Sequence, residues 1–97
     1  MTVEVTTWVT RLAGGDGTGS VILKEPVAPG ETLGQVLHRC SARFPELDAA
    51  LWDSTRRGLG EHIEVLVNDA VLGVVHDLDS RLEGGETIVL LGQFMGG

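Results

Sequence analysis

The group in this chain with the clearest chemical potential is a carboxylate that no side chain crowds. The last residues read Leu90-Leu91-Gly92-Gln93-Phe94-Met95-Gly96-Gly97. Glycine lacks a Cβ and is costly to order, so Gly96 and Gly97 contribute little to a core. They form a thin, extendable thread that can enter a narrow channel in another protein, where the Gly97 carboxylate can be activated. The competing reading is an ordinary frayed end, and the rest of the chain has to discriminate between the two.

Other residues with chemical potential make no constellation. His38 and Cys40 are two apart, and on a helix that spacing points to different faces; Cys40 reads as a small core residue and His38 as a solvated one. His62 and Glu64 share a strand face, but two ligands do not make a metal site, and the Pro-Cys-x-x-Cys of zinc deaminases is absent. The glycine-rich run Gly14-Gly15-Asp16-Gly17-Thr18-Gly19-Ser20 lacks the Gly-Lys-Ser/Thr ending of a P-loop, matches no G-x-G-x-x-G and precedes a strand. It reads as a hairpin tip. Arg56-Arg57 is too short for a nucleic-acid patch. There is no nucleophile elbow and no evident carboxylate pair. The expectation is a substrate or carrier for enzymes, itself no enzyme, with no bound metal or cofactor.

Composition agrees with a small partner-dependent domain. Ninety-seven residues with 42% hydrophobic and 22% charged content make one globular domain, and a chain of this size buries roughly 60–65% of its unfolded surface. The net charge of −7 disfavours nucleic acid and anionic membrane and favours a partner with a basic face. Cys40 is the only cysteine, which fits a reducing, cytoplasmic setting. No secretory leader and no membrane-length apolar run are evident.

The elements that must carry the tail can be read in order. Val3, Val5, Thr7 and Val9 alternate with Glu4, Thr6, Trp8 and Thr10, which predicts a strand over 3–10 with one buried face and Trp8 on the other, semi-buried. A second strand over 21–25 stops at Pro26 and closes an antiparallel hairpin. Thr32 with Gln35 three residues on is a capping box. Leu33, Val36, Leu37, Cys40 and Phe44 make one apolar helix stripe, ended by Pro45. Leu47, Leu51 and Trp52 suggest a short second helical turn, and 54–60 an exposed loop. Strand 62–67 alternates Ile63, Val65 and Val67 inward. Asn68-Asp69 is a turn signal, 70–75 a short hairpin return, and Glu83-Gly84-Gly85-Glu86 another turn. Strand 87–91 is apolar on both faces, hence central. The fold class is α+β: a mixed four- to five-stranded sheet packed on one main helix. Residues 1–91 form the domain and 92–97 a flexible tail.

These residues resemble the ubiquitin-like β-grasp sulfur carriers, which include the small subunit of molybdopterin synthase and the thiamin sulfur carrier. Thr32-Leu33 through Ala42-Arg43-Phe44-Pro45-Glu46-Leu47 is similar to the family helix. Val65-Leu66-Val67-Asn68-Asp69 resembles the strand and turn that follow, and Leu82-Glu83-Gly84-Gly85-Glu86-Thr87-Ile88 through Gly96-Gly97 matches the final turn, strand and tail. Two departures stand out. Gly92-Gln93 replace a pair of prolines and Phe94-Met95 replace Val-Ala, which implies a looser stem and a larger apolar plug. Met95 also stands where ubiquitin has arginine, implying a different activating enzyme.

The resemblance implies that a ubiquitin-activating-type enzyme uses ATP to adenylate the Gly97 carboxylate. A sulfur donor then makes a thiocarboxylate, and a downstream synthase for molybdopterin, thiamin, cysteine or a thio-natural product takes the sulfur. Gly96 would let the backbone lie flat in the channel, with Phe94 and Met95 anchoring the stem in an apolar groove and Gln93 and Gly92 at its base. The alternative is a ubiquitin-like modifier joined through Gly97 to target lysines, although Lys24 as the only lysine argues against lysine-linked chains. A plain interaction module ranks third. The β-grasp ferredoxins are excluded, since a cluster needs four cysteines.

Overall fold

β-Branched and apolar residues at every second position build five strands: β1 (Thr2–Thr6), β2 (Ser20–Lys24), β3 (Ile63–Val67), β4 (Ala70–Val71) and β5 (Thr87–Gly92). The computed structural model describes residues 1–93. The strands form one sheet in the order β2-β1-β5-β3-β4. β1 and β5 run parallel at its centre, and the β1–β2, β3–β5 and β3–β4 pairs are antiparallel. β5 is central, as its two apolar faces predict.

Helix α1 (Leu33–Ser41) starts where the capping box places it. The Thr32 hydroxyl accepts the Gln35 N–H at 3.3 Å, and the Gln35 side-chain Oε1 accepts the Thr32 N–H at 2.9 Å, so two otherwise orphaned donors are satisfied. Its inward stripe is Leu33, Val36, Leu37 and Cys40. A second helix, α2 (Pro45–Leu51), adds Leu47 and Leu51. With the inward valines of β1 and β3, and Ile88 and Leu90 of β5, these residues form one core. Each large side chain so buried stabilises by about 1.5–3 kcal/mol relative to exposure.

At the β3–β4 turn, Asn68 and Asp69 both take positive φ, 49° and 69°, as a two-residue hairpin turn of the primed type requires. The Asn68 side-chain oxygen also accepts the Thr87 N–H at 3.0 Å, so this turn fixes where β5 begins.

Four expectations need correction. The first strand ends at Thr6, and Thr7–Ala13 form a 3-10 helix. Thr7 enters the left-handed region at φ 57° and turns the chain over the end of the core, where Val9 and Thr10 are buried. The first helix stops at Ser41, and Pro45, whose missing N–H costs nothing at a helix start, opens α2 instead of simply ending α1. The hairpin return is strand only at Ala70–Val71; Val74 and Val75 are 75% and 72% exposed. His38 is not a free solvated side chain. It stacks on Trp52 with ring centroids 3.6 Å apart and planes 9° apart, because α2 returns the chain across α1.

Candidate functional site: the tail root and the open sheet face

The tail begins where β5 outruns its parallel neighbour. The last β1–β5 pair is Val5 with Leu90. Beyond it β1 turns away, and two hydroxyls take over its ladder. Thr6 Oγ1 donates to the Leu90 carbonyl at 3.0 Å, and Thr7 Oγ1 accepts the Gly92 N–H at 3.3 Å. On the other edge Gly92 pairs with Ile63, and the Gln93 N–H donates to the His62 carbonyl at 2.8 Å. Gly92 therefore belongs to the sheet, one residue past the expected domain boundary, and the stem at Gly92-Gln93 is held on both sides. The looser stem implied by the missing prolines is not found there. Phe94, Met95, Gly96 and Gly97 lie outside the described residues.

The helices cover one face of the sheet only. On the other, the register aligns Ile22, Glu4, Val89, Leu66 and Val71 in a row across all five strands. Ile22 and Val71 at its ends are 52% and 44% exposed. Leu91 pairs beside Glu64 in the adjacent row. This is an apolar band with carboxylates set into it, and the central strand β5 contributes Val89 and Leu91 to it. The sequence signal was present: apolar residues on both faces of 87–91 predict a central strand, and they equally furnish an outward apolar band.

Behind the sheet, the remaining polar residues serve the fold. Glu25 is buried, and its carboxylate oxygens lie 3.0 Å from Arg39 Nε and 3.3 Å from an Arg43 nitrogen, tying the end of β2 to α1. Cys40 is 1% exposed, and burial pushes its thiol pKa up. Since the thiolate is the nucleophile, this thiol is a poor one. Among the described residues no group of three or more His, Cys, Asp or Glu is placed to hold a metal, and no helix is long and apolar enough to cross a membrane.

The sheet order and the helix crossing it define a ubiquitin-like β-grasp fold. No protein-family model and no curated protein matches the chain, but solved structures do. SAMP1 from Haloferax volcanii superposes over 100% of both chains with a TM-score of 0.70 and 21% identity. A chain of the Amycolatopsis orientalis BexX/CysO complex is 26% identical, with 98% of this chain and 99% of that one covered and a TM-score of 0.66. Urm1 from Trypanosoma brucei is 24% identical over 99% of this chain and 95% of its own, with a TM-score of 0.66. SAMP1 is a small archaeal modifier protein, and this chain shares the fold of these neighbours over its described residues.

Proposed function

We propose that the protein is a cytoplasmic sulfur carrier whose working group is the Gly97 carboxylate. The carrying observation is the β-grasp sheet whose central strand is followed in sequence by Gly96-Gly97, in a chain whose only cysteine is buried and poorly nucleophilic. Sulfur carried as a persulfide needs an accessible thiol; sulfur carried as a thiocarboxylate needs only the tail.

A carboxylate is a poor electrophile because its charge repels nucleophiles. An activating enzyme of the ubiquitin-activating type would bind the tail with ATP. A Gly97 carboxylate oxygen attacks the α-phosphorus, pyrophosphate leaves, and an acyl-adenylate forms. A donor supplying sulfur at the sulfide level attacks the acyl carbon, AMP leaves, and the thiocarboxylate results. A downstream synthase consumes that sulfur and returns the carboxylate. The chain itself supplies no catalytic group. Its apolar band with Glu4 and Glu64 suits a partner surface that is apolar with a basic rim, and Phe94 and Met95 would fill an apolar groove at the channel mouth, with Gly96 flat within it. BexX crystallised with CysO supports docking of such a carrier on a partner protein.

The second reading, conjugation of Gly97 to lysines of other proteins, is favoured by the likeness to a small archaeal modifier protein.

Intact mass after incubation with ATP, an activating enzyme and a sulfide source separates the two. Replacement of one oxygen by sulfur, lost when Gly97 is deleted or the chain is extended past it, is the carrier result. Covalent adducts with lysate proteins and no sulfur gain would move the assignment to the modifier. Sulfur gained by the Gly97-deleted chain would refute the site.

A further inference from the structure

Gly92 stands where the third inward-facing residue of β5 should be, after Ile88 and Leu90. Trp8 occupies the space its side chain would need. A Cβ built on Gly92 would overlap the Trp8 indole nitrogen and lie 2.5 Å from Trp8 Cε2 and 2.8 Å from Thr7 Oγ1. Real Cβ contacts are essentially never that short, so this glycine is required by close approach of the ring. The neighbouring backbone is arranged around the same point. Thr7 holds φ 57°, a rare conformation for a β-branched residue, and in that conformation its hydroxyl accepts the Gly92 N–H. Strain of this kind persists only where surrounding contacts fix it.

We propose that Thr7 and Trp8 are positioning residues that clamp Gly92 and so set the direction in which the tail leaves the sheet. The proposal rests on the carrier reading for its purpose: the Gly97 carboxylate must be threaded into an activating site, and a root already ordered lowers the entropy lost on docking. Where relatives of the resembled family stiffen the stem with prolines, this chain fixes it from outside, with the indole over one face of Gly92 and hydrogen bonds on both edges of β5.

The clamp can be read without any enzyme, by amide hydrogen exchange on the full chain. Trp8→Ala should speed exchange at Gly92 and Gln93 by about tenfold or more, with Val65 and Leu90 unchanged, and Trp8→Phe should fall between. Gly92→Ala should give the same local release and expose Trp8, seen as a red shift of its fluorescence in the Trp52→Phe background. Gly92→Ala in the Trp8→Ala background should cost less than it does alone, because the overlap with the ring is gone and only the 2.8 Å approach to Thr7 Oγ1 remains. In the activation assay, Trp8→Ala should raise KM for the carrier about 5- to 10-fold with kcat within about twofold. Unchanged exchange at Gly92 and Gln93 in Trp8→Ala, or equal loss of protection at Val65 and Leu90, overturns the clamp. A wild-type chain that no activating enzyme adenylates, with Gly92 released in Trp8→Ala, overturns the carrier reading while upholding the clamp.

Discussion

Ser41→Ala removes one oxygen from the corner where α1 meets α2, and it should cost far more than a surface serine. The hydroxyl donates to Asp48 Oδ1 at 2.6 Å and accepts the Trp52 indole N–H at 3.0 Å. Ser41 and Trp52 are 1% and 4% exposed, so water cannot replace the lost acceptor. An orphaned buried donor costs about 1–3 kcal/mol; the Asp48 carboxylate is partly exposed and keeps Arg56, so its lost bond adds little and the total stays in the upper part of that range, about 2–3 kcal/mol. In a domain of this size each kcal/mol lowers Tm by about 4–8 °C, so a fall of about 10–20 °C is expected in calorimetry, matched by an earlier midpoint in urea. The decisive assay is a double-mutant cycle with Trp52→Phe, which keeps an aromatic ring against His38 and deletes the N–H. Ser41→Ala should cost about half as much there. An equal cost in both backgrounds would refute the orphaned-indole reasoning and leave lost packing as the explanation.

Two further outcomes follow from the same geometry. The Asp48 carboxyl is held below its ordinary value of 3.8, first by the Ser41 hydroxyl and then by Arg56. A depressed folded-state pKa adds stability that is present above the unfolded value and is lost as pH falls through the folded one, so acid unfolding of Asp48→Asn should show a shallower loss below about pH 4; identical acid profiles would show that Asp48 is not part of the linkage. If Phe94 serves a partner and not the core, Phe94→Ala should weaken binding to the activating enzyme by titration calorimetry while leaving Tm within about 2 °C; a large fall in Tm with binding unchanged would place Phe94 in the core.

The helix that crosses the sheet was legible because its start is local chemistry. Thr32 and Gln35 satisfy each other's backbone donors within one turn, and the stripe from Leu33 to Cys40 repeats at helical spacing. Strand 62–67 was equally legible to within one residue, since a dry face imposes period two, and 87–91 was legible from its unbroken apolar run. The first strand misled because Thr7, Trp8, Val9 and Thr10 continue that period in residue type although the chain has already turned. Nothing local in Thr7 announces a left-handed φ. His38 misled for a related reason: its partner Trp52 is fourteen residues away and is brought over the ring only by α2.

For the site, the sequence by itself determined that a glycine pair follows the last apolar strand, because that is a property of residue type. It also determined that the strand delivering the tail is central, because apolar residues on both faces exclude an edge. Only the tertiary structure decided what stands around the tail root. Gly92 looks like a flexible substitute for proline in the sequence, yet in the fold it is the contact point for Trp8 and Thr7, eighty-four and eighty-five positions earlier. Such a constraint belongs to the space between two segments and is written in neither alone. The open row is of the same kind: Ile22, Val89, Leu66 and Val71 are scattered along the chain, and the register of four strand pairings sets them in one row, with Glu4 between Ile22 and Val89.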